Sequence, residues 1–161
     1  MTDTRDVRIE RTFDAPIEII WAMWTEPEHF AEWYGPEGAR IPHATMDVQV
    51  GGRRRIAMEV DTPDGPMQMF FVGEYREVDP MTRLVYTESV SDADGRARTA
   101  EEMGMPAGTP TETTVVVELD DLDGRTAMTM THTGVPADSP GGRGWATAID
   151  ALGSRVAELR G

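Results

Sequence analysis

Apolar residues recur along this chain with two different periods, and the change of period divides it into elements. From Val7 to Asp14 the pattern alternates, with Val7, Ile9 and Phe13 set against Arg8, Glu10 and Thr12, which predicts a half-buried strand. Pro16 then opens a helical stretch in which Ile17, Ile20, Trp21 and Trp24 follow the i, i+3, i+4, i+7 rule. Thr25-Glu26-Pro27 restarts a second short helix carrying Phe30, Trp33 and Tyr34, with Gly35-Pro36 as its stop.

After Ile41 the period falls to two. One strand is predicted through Ala44, Met46, Val48 and Val50, followed by a Gly51-Gly52 turn, and the next through Arg54, Ile56, Met58 and Val60. Pro63-Asp64-Gly65-Pro66 turns the chain into a long apolar stretch, Met67 to Val78, and Asp79-Pro80 turns it again into Leu84 to Val90. Val115–Leu119 and Ala127–Thr133 form a last hairpin around Asp123-Gly124. The final twenty residues return to helical spacing. Trp145, Ile149, Leu152, Val156 and Leu159 share one face, widened by Ala148. Asp138 and Ser139 are its expected N-cap residues, Pro140 its first position, and Gly161 closes the chain. Seven strands and three helices joined by hairpin-type connections predict an α+β domain with a long helix laid across an antiparallel sheet.

Ser91 to Thr113 breaks the pattern. It is polar and rich in Gly and Pro, with Met103 and Met105 as its sizeable apolar groups, and it reads equally as a lid over an opening or as a surface loop. No repeat and no inter-domain linker interrupts the chain, so residues 1–161 are expected to form one domain.

Composition narrows the partners. With 29 acidic and 15 basic residues the formal charge is −14, which argues against nucleic acid and anionic membrane. There is no run of about 18 apolar residues, so membrane insertion is not expected. MTDTRDVRIE lacks the apolar core of a secretory leader, and with no Cys for a disulfide framework the expected location is cytoplasmic.

The assembled chain resembles the START-like superfamily (SRPBCC, or Bet v-type). Within it the similarity is to the family related to the activator of heat-shock protein 90 ATPase (AHSA-like). The stretches that carry the resemblance are FDAPIEIIWAMWTEPEHFAEWYGP, VGGRRRIAM, GEYREVDPMTRLVYT, MGMPAGTPTETTVVVELDDLDGRTAMTMTHTGVP and GWATAIDALGSRVAEL. The resemblance implies a helix-grip fold, a curved seven-stranded sheet around the C-terminal helix, with a cavity for an apolar small molecule between them. The eukaryotic activator carries a further N-terminal domain for ATPase stimulation, so a chaperone partner is not expected of this chain.

Strand parity assigns Ile56, Met58, Val115, Val117, Met128 and Met130 to the concave face, where flexible thioethers suit an irregular apolar ligand. Trp145 and Tyr86 are candidates for the pocket mouth or for aromatic core packing, and Ile149 follows Trp145 on the helix face. Arg54 shares the parity of Ile56 and Met58: either it points into the concavity and requires a carboxylate such as Glu88 or an anionic head group, or it lies at a strand end and snorkels to solvent. His132 shares the parity of Met128 and Met130, and it is either a satisfied structural residue or, with Glu88 or Asp47, a candidate acid–base pair. His29 is expected at the surface. Neither His29, His43 and His132 nor the absent Cys offers metal-ligand spacing, and no cofactor motif occurs. The leading expectation is a binding protein for an apolar or amphipathic small molecule. Its rivals are a cyclase- or dehydratase-type enzyme using His132 with a carboxylate, and a co-chaperone-like interaction module. Homodimerisation is left open.

Overall fold

The computed structural model describes residues 6–35, 38–104, 106–107, 111–136 and 140–160. Its elements are β1 (Asp6–Phe13), α1 (Ile17–Thr25), α2 (Pro27–Phe30), β2 (Arg40–Met46), β3 (Arg53–Thr62), β4 (Gly65–Asp79), β5 (Arg83–Ser91), β6 (Thr113–Asp121), β7 (Thr126–Pro136) and α3 (Pro140–Arg160). The seven strands form one antiparallel sheet in the order β1-β7-β6-β5-β4-β3-β2. From β2 to β7 each strand pairs with its chain neighbour, as hairpin connections require. β1 instead pairs with β7, so α1 and α2 carry the chain from one sheet edge to the other. This is the expected helix-grip arrangement, with α3 packed on β1, β7 and α1.

Inward parity holds along the sheet. Val7 and Phe13 of β1, Ile56 and Met58 of β3, Val115, Val117 and Leu119 of β6, and Met128 and Met130 of β7 are all buried. From α3, Trp145, Ala148, Ile149, Leu152 and Val156 close on them. Leu159 does not. It is 44% exposed, one turn beyond the end of the packed stripe. The predicted caps Asp138, Ser139 and Gly161 lie outside the described residues, as does Pro36.

Two boundaries differ from the sequence expectation. β2 ends at Met46, and Val48 and Val50 belong to a tight turn held by Gln49 N–H to Asp47 O and Gly52 N–H to Gln49 O. A Cβ on Gly52 would lie 2.0 Å from Asp47 O, so the glycine allows the chain to double back before the alternation finishes. Val50 is left 68% exposed at the tip. α2 is a single turn, and Trp33 and Tyr34 follow it in a continued turn rather than in the helix itself.

The aromatic side chains of this segment form the hub between helices. Trp24 and Trp33 meet edge-to-face at 4.8 Å, Phe30 stacks on Tyr34 at 4.5 Å, and Trp145 of α3 lies 6.0 Å from Trp24 and 5.7 Å from Tyr34. Trp33 Nε1 donates to Met23 O, which satisfies the buried indole.

Gly73 governs the middle of β4. It pairs with Arg54 on one side, and because Val72 pairs with Ser89 it faces Glu88 on the other. A Cβ there would sit 1.8 Å from Thr87 O. Gly73→Ala is therefore expected to lower stability by about 1–3 kcal/mol or more through overpacking. Gly153→Ala in α3, whose Cβ would meet Phe13 at an ordinary 3.6 Å, should raise it by about 0.5–1 kcal/mol. Urea unfolding of the two variants checks the opposite signs.

Candidate functional site

Between the concave face and the first half of α3 lies a cavity of about 610 Å³. Met58 and Val60 of β3, Met69 and Phe71 of β4 and Val90 of β5 supply its apolar wall. Trp145 and Ala148 of α3 close it, and Tyr34, Glu88, Thr111, Thr113 and His132 are its polar members.

The predicted residues separate into two groups. Met58 and Trp145 stand on the wall, together with the catalytic candidates Glu88 and His132. Ile56, Tyr86, Val115, Val117, Met128, Met130 and Ile149 are at most 1% exposed and fill the packed core beside it. Tyr86 is not at a mouth. Its ring lies beneath Arg54, 3.8 Å from the guanidinium carbon. Val60, Met69, Phe71, Val90, Val135 and Tyr34 are wall residues that sequence reasoning missed. In β4 the run from Met67 to Val72 is mostly apolar on both faces, so alternation carried no signal there. Met103, the proposed lid residue, is not on the wall, and Met105 lies outside the described residues. Instead the segment is pinned by Asp92, whose carboxylate accepts from the backbone N–H groups of Asp94 and Arg96, and Thr111 reaches the cavity.

Arg54 is 1% exposed and points inward, as its parity predicts. Its Nη1 donates to Glu88 Oε2 at 3.3 Å. The two residues stand two strands apart, and the absent side chain of Gly73 leaves the space through which they meet. The guanidinium lies over the rings of Tyr86, Phe30 and Tyr75, at 3.8, 5.2 and 5.9 Å. This environment suits a weakly hydrated planar cation. Tyr34 Oη donates to the same Glu88 Oε2 at 3.0 Å. Burial, and then the negative charge of Glu88, push the Tyr34 hydroxyl well above its ordinary range, so it stays a donor.

His132 is held at both ring nitrogens. Trp145 Nε1 donates to its Nδ1 at 2.8 Å, which places the neutral ring's proton on Nε2. Nε2–H then donates to Thr113 Oγ1 at 2.7 Å, and Thr113 passes its own proton to the Glu88 carbonyl at 3.1 Å. A protonated ring would turn an Nδ1–H against the indole N–H. Burial lowers the His132 pKa, opposed by Glu88 and Asp6 and reinforced by Arg54. His132 and Glu88 thus share a wall but bond to different partners. Asp47 is exposed in its turn and accepts from Gln49 Nε2. His29 is half-buried rather than exposed, against Arg155 Nη2 at 3.4 Å. Among the described residues, no three His, Asp or Glu side chains gather as a metal site, and no helix is long and apolar enough to cross a membrane.

Arg54→Met is expected to cost about 3–5 kcal/mol by leaving Glu88 buried and unpaired, and the double change Arg54→Met with Glu88→Leu to recover most of it. Urea titration of the two variants measures the difference. A second expectation concerns pH. Because the folded-state pKa of His132 lies below the unfolded value of 6.5, its contribution is complete above that value and is lost as pH falls through it. The unfolding free energy of the parent protein should therefore drop relative to His132→Gln between about pH 7.5 and 5. Parallel curves would contradict a neutral buried ring.

The family model described as activator of Hsp90 ATPase homolog 1-like protein matches residues 14–157. No curated protein matches the chain. Solved structures share the fold. A protein from Nitrosomonas europaea is 23% identical with a TM-score of 0.72, over 96% of this chain and 95% of that one. One from Chromobacterium violaceum is 23% identical with a TM-score of 0.74, over 94% and 96%. The AHSA1 protein from Silicibacter pomeroyi is 20% identical with a TM-score of 0.72, over 96% and 99%.

Proposed function

Since this chain belongs to the family of activator of Hsp90 ATPase homolog 1-like proteins, with the fold of a small ligand-binding or interaction module, we propose that it is a carrier. It takes an apolar or amphipathic small molecule into the cavity between sheet and α3. The observation that carries this reading is the cavity itself: about 610 Å³, in the range of small-molecule sites, walled by Met58, Val60, Met69, Phe71 and Val90. A filled core would instead have favoured a module working only through its surface. Among the described residues the exposed large apolar side chains are Val50 in the β2–β3 turn, Met67 on β4, Leu122 in the β6–β7 turn and Leu159 near the end of α3.

The enzyme reading requires His132 and a carboxylate to converge on a reacting atom with a proton position free. Both nitrogens of His132 are engaged by Trp145 and Thr113, and Glu88 is engaged by Arg54 and Tyr34. The polar groups of the wall thus support binding over proton transfer.

Native mass spectrometry of the freshly purified protein, followed by denaturation, tests for a carried molecule. Titration with an apolar fluorescent probe tests the place. Met69→Trp, which fills the cavity from β4, is expected to weaken the probe at least about tenfold, and Val50→Trp at the exposed turn to leave it unchanged. Equal binding by both variants would overturn the reading.

A further inference from the structure

We infer that the molecule this cavity accepts presents one uncharged hydrogen-bond donor, a hydroxyl or N–H, to Glu88 Oε1, and that anionic head groups are rejected. The inference rests on the carrier reading and adds to it a rule for the head group.

The polar wall is nearly closed on itself. Trp145 gives its N–H to His132, His132 gives its N–H to Thr113, and Thr113 gives its hydroxyl proton to the Glu88 carbonyl. Tyr34 gives its proton to Glu88 Oε2, and Arg54 adds a second donor to the same oxygen. Oε1 takes neither bond, and Glu88 is on the cavity wall. A carboxylate oxygen has lone pairs and no proton, so the wall presents an acceptor.

Charge decides which donor fits. Arg54 is not a wall residue, and its charge is matched by the carboxylate that stands between it and the cavity. An anionic head would face that carboxylate, inside a chain of formal charge −14. A cationic head would find a pair that is already neutral and would bury a net charge among Met58, Met69 and Phe71. A neutral donor meets the carboxylate with neither penalty and forms a charge-assisted bond.

Four probes on one naphthalene frame test the rule by isothermal titration near neutral pH: naphthol, methoxynaphthalene, naphthoate and naphthylmethylammonium. Naphthol should bind about tenfold or more tighter than methoxynaphthalene, in which a methyl group replaces the donor hydrogen, and both ions should bind more weakly than methoxynaphthalene. In Glu88→Gln the amide oxygen is retained by Arg54 and Tyr34, so the amide N–H faces the cavity. The preference for naphthol over methoxynaphthalene should then vanish or reverse, an outcome that simple damage to the site does not produce. Equal affinities for naphthol and methoxynaphthalene, an unchanged ratio in a folded Glu88→Gln, or an ion as the tightest probe would each overturn the rule while leaving a binding cavity in place. If Glu88→Gln does not fold, the parent series decides alone. If no probe binds the folded parent protein, the carrier reading falls and the head-group rule with it.

Discussion

A guanidinium on β3 and a carboxylate on β5 share the inward row of this sheet and meet across the strand between them. Burying two charges costs several kcal/mol per ion, and only close pairing with further hydrogen bonds offsets that. Each neighbour of Arg54 and Glu88 answers this demand. Gly73 clears the strand between them, Tyr86, Phe30 and Tyr75 offer ring faces to the cation, and Tyr34 donates to the anion. Phe30 and Tyr34 come from the α2 segment, so the pair also ties the inserted helices to the sheet. The floor of the cavity is thus an electrostatic joint as well as a wall.

The same joint explains why the inserted helices are so aromatic. Leaving β1 at one edge and entering β2 at the other, the chain must cross the open end of a curved sheet in fewer than thirty residues. Two short helices lack the length to bury much aliphatic surface. Indole and phenol rings supply large area per residue; Trp33 Nε1–H finds Met23 O and Tyr34 Oη–H finds Glu88, while the buried Trp24 Nε1 has no partner among the described residues. Trp145 then joins the cluster from α3 and fixes the helix against both the aromatic hub and His132.

The architecture was legible because period-two and period-3.6 patterns depend only on which side of an element is buried. Parity also offered an inward Arg54 needing a carboxylate such as Glu88, but it left open a strand-end Arg54 reaching solvent, and burial decides for the first. Position along an inward row was not legible. Val115, Val117, Met128 and Met130 have the parity of His132 and Glu88, yet they lie in the packed core, where β7 meets α3 and β6 meets α1, and the cavity opens farther along, against β3, β4 and β5. Parity separates two faces of a strand but cannot tell a packed stretch of one face from an open one. Met69 and Phe71 escaped because their strand is apolar on both sides, and Val48 and Val50 misled because a glycine-enabled turn interrupted a pattern that alternation alone would continue.

The direction of the pKa shifts bears on function independently of the cavity's shape. Burial raises Tyr34, Tyr75 and Tyr86 above their ordinary range and lowers His132 below its own. Arg54, penalised by burial, is nonetheless held charged by Tyr86, Tyr75 and Glu88. Each of these shifts runs away from the neutral range. Tyr34, His132 and Arg54 Nη1 have hydrogen-bond partners, whereas Tyr75 Oη, Tyr86 Oη and Arg54 Nε and Nη2 are buried without one among the described residues. On the proposed carrier reading, the bonded pattern of His132, Thr113, Tyr34 and Glu88 is what a bound molecule's head group would meet.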